Sequence, residues 1–123
     1  MTMPLADEVV VHRVGGADVA NLRLKPGEAA LVPPGVSTLT GGDAQTAADS
    51  MRRVYAKAKK WKGPLAMGTA TAAAIRAAGI DVIADPTPNF PNHARVVHPA
   101  GVGGFTDANL HQLSATFVTT FGH

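Results

Sequence analysis

Two histidines and an arginine stand around a short apolar run in the segment FPNHARVVHPAG, residues 90–101. Histidine transfers protons near neutral pH and arginine binds anions, so His93, Arg95 and His98 are the candidate catalytic residues. Side chains alternate between faces on a β-strand, which predicts His93 and Arg95 on one face and His98 on the other. Arg95 would then hold an anionic group while the His93 imidazole moves a proton. A structural interpretation stays open, in which His93 caps the proline-rich loop, Arg95 is a surface residue and His98 hydrogen-bonds in a turn.

A metal centre is the other chemistry that histidines suggest. The chain has five histidines and no cysteine, which excludes disulfides, thiolate ligands and a cysteine nucleophile. The histidines show neither HExxH nor HxH spacing, so a zinc site would need ligands from distant segments, and we expect no metal. These residues are His12, His93, His98, His111 and His123.

Hydroxyl groups form a second candidate site in the segment PPGVST, residues 33–38. Ser37 and Thr38 follow a rigid proline turn at the start of a predicted strand, where their hydroxyls would be held in fixed positions. Ordinary turn chemistry accounts for the prolines and the glycine equally well.

Basic residues are concentrated in the segment MRRVYAKAKKWK, residues 51–62, which contains no acid. Such a patch attracts nucleic acid or an acidic protein partner, although a solvated helix face explains it too. The residues that would make this surface are Arg52, Arg53, Lys57, Lys59, Lys60 and Lys62.

Five β-strands are predicted from β-branched or apolar runs bounded by glycine and proline. They cover residues 8–14, 28–32, 35–39, 80–84 and 93–99.

Three helices are predicted between and after these strands. The first is capped by Asp43, with Ala47, Met51, Val54, Tyr55 and Ala58 at helical spacing. The second covers LAMGTATAAAIRAA and ends at Gly79, and the third is capped by Thr106 or Asp107, with Leu110, Leu113 and Phe117 near one face and Gly122 beyond its end.

These elements predict an α+β fold, with a mixed or antiparallel sheet covered by about three helices. The 123 residues suit a single compact domain, 1–123, in which residues 1–7 form a flexible tail. The chain has no apolar run of about 18 residues and no signal-peptide pattern, so we expect no membrane partner. A soluble protein is predicted, either cytoplasmic or exported without a cleaved signal peptide.

The strand residues VHRV around Arg13, the PGVST strand and the HARVVHP strand together resemble the ADP-ribosyltransferase-like toxin domains of secreted bacterial effectors. The resemblance implies NAD as cofactor, with Arg13, or its neighbour His12, at the phosphate or ribose and Ser37 and Thr38 at the nicotinamide half. It also implies a cognate immunity protein as partner. That family places an acid on a later strand, whereas both glutamates here, Glu8 and Glu28, precede PGVST, so Asp81 or Asp85 would have to substitute.

The leading hypothesis is therefore a small bacterial effector or toxin-like enzyme in which the candidate residues converge at one cleft. Two alternatives stay open. A metal-independent ribonuclease-type toxin would use His93, Arg95 and His98 with the basic segment attracting RNA. A non-enzymatic binding module would use the basic segment with Tyr55 and Trp61 as contact aromatics.

Overall fold

The computed structural model describes residues 3–57 and 63–123. They form one seven-stranded sheet in which every neighbouring pair of strands is antiparallel. The strands are β1 (Met3–Pro4), β2 (Val10–Val14), β3 (Gly35–Thr40), β4 (Leu65–Thr71), β5 (Asp81–Ala84), β6 (His93–Val97) and β7 (Val118–Gly122), in the spatial order β1-β5-β6-β3-β2-β4-β7. The predicted α+β class is confirmed, and of the two predicted sheet types the antiparallel one is present.

Helices cover both faces of this sheet. Within the described residues they are α1 (Val19–Leu22), α2 (Pro26–Ala29), α3 (Ala44–Val54), α4 (Ala72–Ala77) and α5 (Asp107–Thr116), with a 3₁₀ turn at Gly101–Gly104. The predicted cap Asp43 is confirmed, because it accepts a hydrogen bond from Thr46 N, and of the two caps predicted for the last helix it is Thr106 that accepts one, from Asn109 N. The part of the chain that the structure describes has two more helices than the predicted three. The additional ones, α1 and α2, are single turns.

Two sequence-based assignments of secondary structure are wrong. Residues 28–32 do not form a strand, because Pro26 begins the short helix α2 at its first position. The predicted helix after Gly63 is instead β4 followed by α4, with the side chain of Thr71 capping the helix. Small residues suit β4 because Gly68 lies directly against Ala17, where a Cβ atom would come within 2.4 Å of the Ala17 Cβ.

The third predicted helix is also shorter than expected. It ends at Thr116, and the residues that follow form β7, which pairs with β4 at the edge of the sheet. The β-branched Thr119 and Thr120 favour this extended conformation.

The two faces of the sheet bury separate apolar clusters. One cluster packs under α1, α4 and α5 and includes Val11, Val36 and Leu113. The other packs under α3 and includes Leu39 and Met67. The strands β3 and β4 therefore contribute side chains to both cores.

The N-terminal residues that the structure describes are attached to the sheet edge. Met3 and Pro4 pair with β5, and Asp7 forms an ion pair with Arg76, with 2.6 Å between the Asp7 Oδ1 and Arg76 Nη1 atoms. Residues 3 and 4 therefore form a short strand at the edge of the sheet. Over the described ranges, no helix is both long and apolar enough to cross a membrane.

Candidate ligand-binding cleft

The central strands β2 and β3 pair over only part of their length. Val11 pairs with Thr40 and His12 with Leu39, but the ladder stops there. Each strand continues on its other side, β2 with β4 as far as Val14 and β3 with β6 as far as Gly35. The sheet therefore splits between β2 and the first half of β3.

A buried ion pair fills this split. The Arg13 Nη1 atom lies 3.7 Å from Glu28 Oε2, and both side chains are almost fully buried. The two side chains bind the backbone N–H and C=O groups of Ser37, which have no partner on β2. Glu28 Oε2 accepts from Ser37 N at 2.8 Å, and Arg13 Nη1 donates to Ser37 O at 2.8 Å. Arg13 also donates twice to the carbonyl oxygen of Asn21 in α1. The pair thus replaces β-ladder bonds with side-chain bonds.

The environment shifts both ionisations. Burial lowers the pKa of Arg13, partly offset by the negative charge of Glu28. Burial acts to raise the pKa of Glu28, but the amide hydrogen bonds from Lys25 and Ser37, together with the positive charge of Arg13, outweigh it, and the pKa is lowered. Glu28 is therefore ionised at neutral pH, and Arg13 stays charged because guanidinium groups keep their proton in proteins.

A cleft of about 660 Å³ opens at the split, which is within the size range of small-molecule sites. Its floor is the sheet, and its walls are the end of α3 and the turn between β5 and β6. The lining residues are Arg13, Val14, Gly15, Asn21, Lys25, Ser37, Thr38, Leu39, Met51, Tyr55, Thr87, Pro88, Asn89, Phe90 and His93. The rings of Tyr55 and Phe90 pack against each other across this wall, with centroids 6.1 Å apart. The cleft therefore combines cations, amides and hydroxyls with an aromatic surface.

His93 lines the cleft and is held from behind by Asp85. Its Nδ1 atom lies 2.9 Å from the backbone carbonyl oxygen of Asp85 and 3.4 Å from the Asp85 carboxylate. The same carboxylate oxygen is 3.0 Å from the Nε atom of Arg95. That contact is one of charge, since Arg95 Nε has no aligned hydrogen bond, and Arg95 Nη1 donates to the Pro33 carbonyl.

The structure brings four of the six predicted site residues together. Arg13, Ser37, Thr38 and His93 all line the cleft, although the Thr38 hydroxyl is committed to the carbonyl oxygen of Ala94. Arg95 is buried beside Asp85 and is not among the lining residues, so it does not hold an anion there directly.

His98 does not converge with the other candidates. It lies against α5 on the other face of the sheet, where its Nδ1 accepts from Ala100 N at 3.0 Å and its Nε2 is 3.4 Å from Asn109 Nδ2. The turn role considered for His98 matches these contacts. His12, the alternative to Arg13, is fully buried, with Nε2 3.1 Å from Gly42 O, and is also outside the cleft lining.

Several residues at the site were not predicted as site residues. Glu28 carried no local signal, because its partners Arg13 and Ser37 meet it only through the fold. Asp85 was considered only as a replacement acid, and its contact with His93 depends on the pairing of β5 with β6. Phe90 was detectable in principle, as a single aromatic residue within a proline-rich turn.

The basic segment lies partly outside the described residues, which include Arg52, Arg53 and Lys57 but not Lys59, Lys60, Trp61, Lys62 or Ala58. Arg52 contacts backbone rather than an open surface, donating to the carbonyl oxygens of Gly63 and His123. Over residues 3–57 and 63–123, no three His, Asp or Glu side chains gather as metal ligands would.

Comparison of the chain with protein-family models, curated proteins and solved structures found no match. The function therefore has to be argued from the cleft itself.

Proposed function

We propose that the cleft binds a small anionic ligand that carries a flat ring, and that NAD is a ligand of this kind. The observation that carries the proposal is the charge of the lining. Arg13 and Lys25 contribute positive charge, and none of the described lining residues has a carboxylate. An anion in the cleft would therefore be attracted chiefly by Lys25, because Glu28 offsets Arg13, while Glu28 and Asp85 themselves lie outside the lining.

The aromatic wall supports the ring part of the proposal. Tyr55 is 43% exposed, packs against Phe90 and lines the cleft. Flat heterocycles stack on such side chains, with a contribution of about 1–3 kcal/mol per base. The amides of Asn21 and Asn89 and the hydroxyl of Ser37 supply hydrogen-bonding groups beside it.

ADP-ribosyl transfer is the enzymatic form of this proposal, and the resemblance of the strand motifs is its support. The reaction in that family uses an acid to stabilise the positively charged ribosyl transition state. Glu28 is engaged with Arg13, and Asp85 contacts His93 from behind. Asp85 is thus the carboxylate that would stabilise the transition state in this form of the proposal. ADP-ribosyl transfer therefore requires Asp85 to lie close to the bound ribose.

The test is a titration of the protein with NAD, AMP and nicotinamide mononucleotide, in which calorimetry measures binding. Lys25→Gln should weaken binding about two- to fivefold, the size of one exposed charge contact. Tyr55→Ala should weaken it roughly tenfold through lost stacking, whereas Tyr55→Phe should retain the affinity. Arg23→Gln is the matched control, because Arg23 is an exposed cation that pairs with Asp107 and does not line the cleft.

Two outcomes would contradict the proposal. One is the absence of saturable binding by all three ligands to protein that is folded by circular dichroism. The other is an equal loss of affinity in Lys25→Gln and Arg23→Gln, which would indicate general charge attraction instead of a cleft.

The same variants test whether the protein acts as a toxin. Growth arrest on induction of the wild-type chain in bacteria, lost in Tyr55→Ala but kept in Arg23→Gln, would connect toxicity to the cleft. Arrest that is unchanged in all variants would place a toxic activity elsewhere. An immunity protein and a nucleic-acid or acidic partner for the basic segment stay predictions.

A further inference from the structure

We infer that His93 is a proton acceptor in the cleft, held in one tautomer by the Asp85 carbonyl and supported by the Asp85 carboxylate. It would act on a hydroxyl group of the bound anion or on a water beside it. This inference deepens the proposed function, since it concerns the same cleft, but the tautomer itself does not depend on which ligand binds.

The tautomer follows from the contact behind the ring. A backbone carbonyl can only accept a hydrogen bond, so the Nδ1 atom, 2.9 Å from Asp85 O, carries the hydrogen. In the neutral ring Nε2 then has the lone pair. Among the residues that the structure describes, no hydrogen bond engages Nε2 of His93, while the ring lines the cleft. The basic nitrogen is therefore available to a ligand.

The carboxylate of Asp85 lies beside the same ring atom. Its Oδ2 atom is 3.4 Å from Nδ1, so the carboxylate helps to fix the orientation of the ring. Arg95 is a positioning residue in this arrangement. Its Nε is 3.0 Å from the same carboxylate, and its Nη1 is anchored to the Pro33 carbonyl, which holds Asp85 at His93.

The sheet register places a hydroxyl on the same side as this base. His93 pairs with Leu39, so Ser37 is its diagonal neighbour on the same face, and both line the cleft. Ser37 is fixed by the bonds of its backbone to Glu28 and Arg13. In the inferred step the O–H bond of the ligand hydroxyl or of the water breaks, its electron pair stays on that oxygen, and the proton forms a bond to Nε2 of His93.

The chain contains a matched control for this arrangement. His111 also has its Nδ1 atom 2.8 Å from the carbonyl oxygen of an aspartate, Asp107, whose carboxylate pairs with Arg23. His111 is exposed on α5 and lies outside the cleft lining. It differs from His93 in having no contact within 4.0 Å between its ring and a carboxylate of the described residues.

The first measurement is the tautomer of His93 by nitrogen NMR on histidine-labelled protein in mildly alkaline buffer, with signals assigned by their loss in His93→Gln. The expected result is hydrogen on Nδ1 in both the wild type and Asp85→Asn, because the carbonyl bond is retained. Hydrogen on Nε2 would overturn the inference even if NAD binds.

The second measurement is the rate at which diethyl pyrocarbonate acylates each histidine, determined by mass spectrometry. In mildly alkaline buffer, where imidazole rings are unprotonated, Asp85→Asn should slow modification of His93 severalfold, because a carboxylate behind a histidine orients the ring and makes its other nitrogen a better nucleophile. Asp107→Asn should leave the rate at His111 unchanged. Equal rates at His93 in the wild type and Asp85→Asn would overturn the role of the carboxylate, whereas failure of NAD to protect His93 would count against the ligand alone.

Discussion

Ser37 shows how individual side chains substitute for secondary structure in this protein. Its backbone N–H and C=O groups point to where β2 would continue, and Glu28 and Arg13 bind them instead. The split that results is the opening of the cleft. The ion pair therefore has a structural role, and the negative charge of Glu28, 3.7 Å away, offsets the positive charge that Arg13 brings to the site.

Replacement of Glu28 tests this arrangement through pH. Because the folded-state pKa of Glu28 is lowered, its contribution to stability is present above its ordinary pKa of 4.5 and is lost as the pH falls through the folded-state value. Glu28→Gln should lower the free energy of unfolding at neutral pH by about 1–3 kcal/mol, the cost of unsatisfied buried polar groups. It should also reduce the loss of stability on acidification below pH 4.5. Urea unfolding between neutral and acid pH measures both effects.

The control for this prediction is Glu8→Gln. Glu8 is the other glutamate of the chain and is exposed. An equal change of acid sensitivity in the two variants would show that Glu28 has no special role.

Among the elements, β7 best shows how packing decides a local structure. Its residues follow α5 without a strong turn signal, and it pairs with β4 on one side only. Gly122 at its end lies against α3, where an added Cβ would come 2.4 Å from the Ala48 Cβ and 2.6 Å from the Ala44 carbonyl oxygen. A glycine is required there for close approach, not for turn geometry.

We expect Gly122→Ala to destabilise the protein by about 1–3 kcal/mol, as overpacking of a tight contact does. The loss should appear as a lower urea midpoint and as faster amide exchange in β7 and α3. Gly103→Ala is the matched control, because a Cβ there would meet nothing within 4 Å. If both variants keep the wild-type midpoint, β7 does not pack on α3 as described.

At the scale of the whole molecule, one sheet carries two cores. Leu113 belongs to the cluster under α1, α4 and α5, and Met67 to the cluster under α3. Because the shared strands contribute to both clusters, the loss of one core leaves the other without its sheet. We therefore expect a single cooperative unfolding transition.

Leu113→Ala and Met67→Ala test this expectation from opposite faces. Both side chains are fully buried, and each truncation should cost about 2–5 kcal/mol. Circular dichroism and amide exchange in residues of either face should report the same midpoint in each variant. Loss of protection confined to the mutated face would mean that the two cores unfold separately.

The sequence by itself determined the α+β class, the capped helices after Asp43 and Thr106, and the strands bounded by proline around residues 35–40 and 93–97. Caps, proline and β-branched runs act over a few residues, so these signals are local. The strands β4 and β7 were decided by tertiary structure, since pairing overrides the helix preference of the alanines in β4 and no strong local signal separates β7 from α5. The same holds for the site. The types of Arg13, Ser37 and His93 marked them as candidates, and strand alternation already placed His98 on the opposite face from His93. Only the tertiary structure brought Glu28 and Asp85 to the site, because contacts between distant segments leave no local pattern.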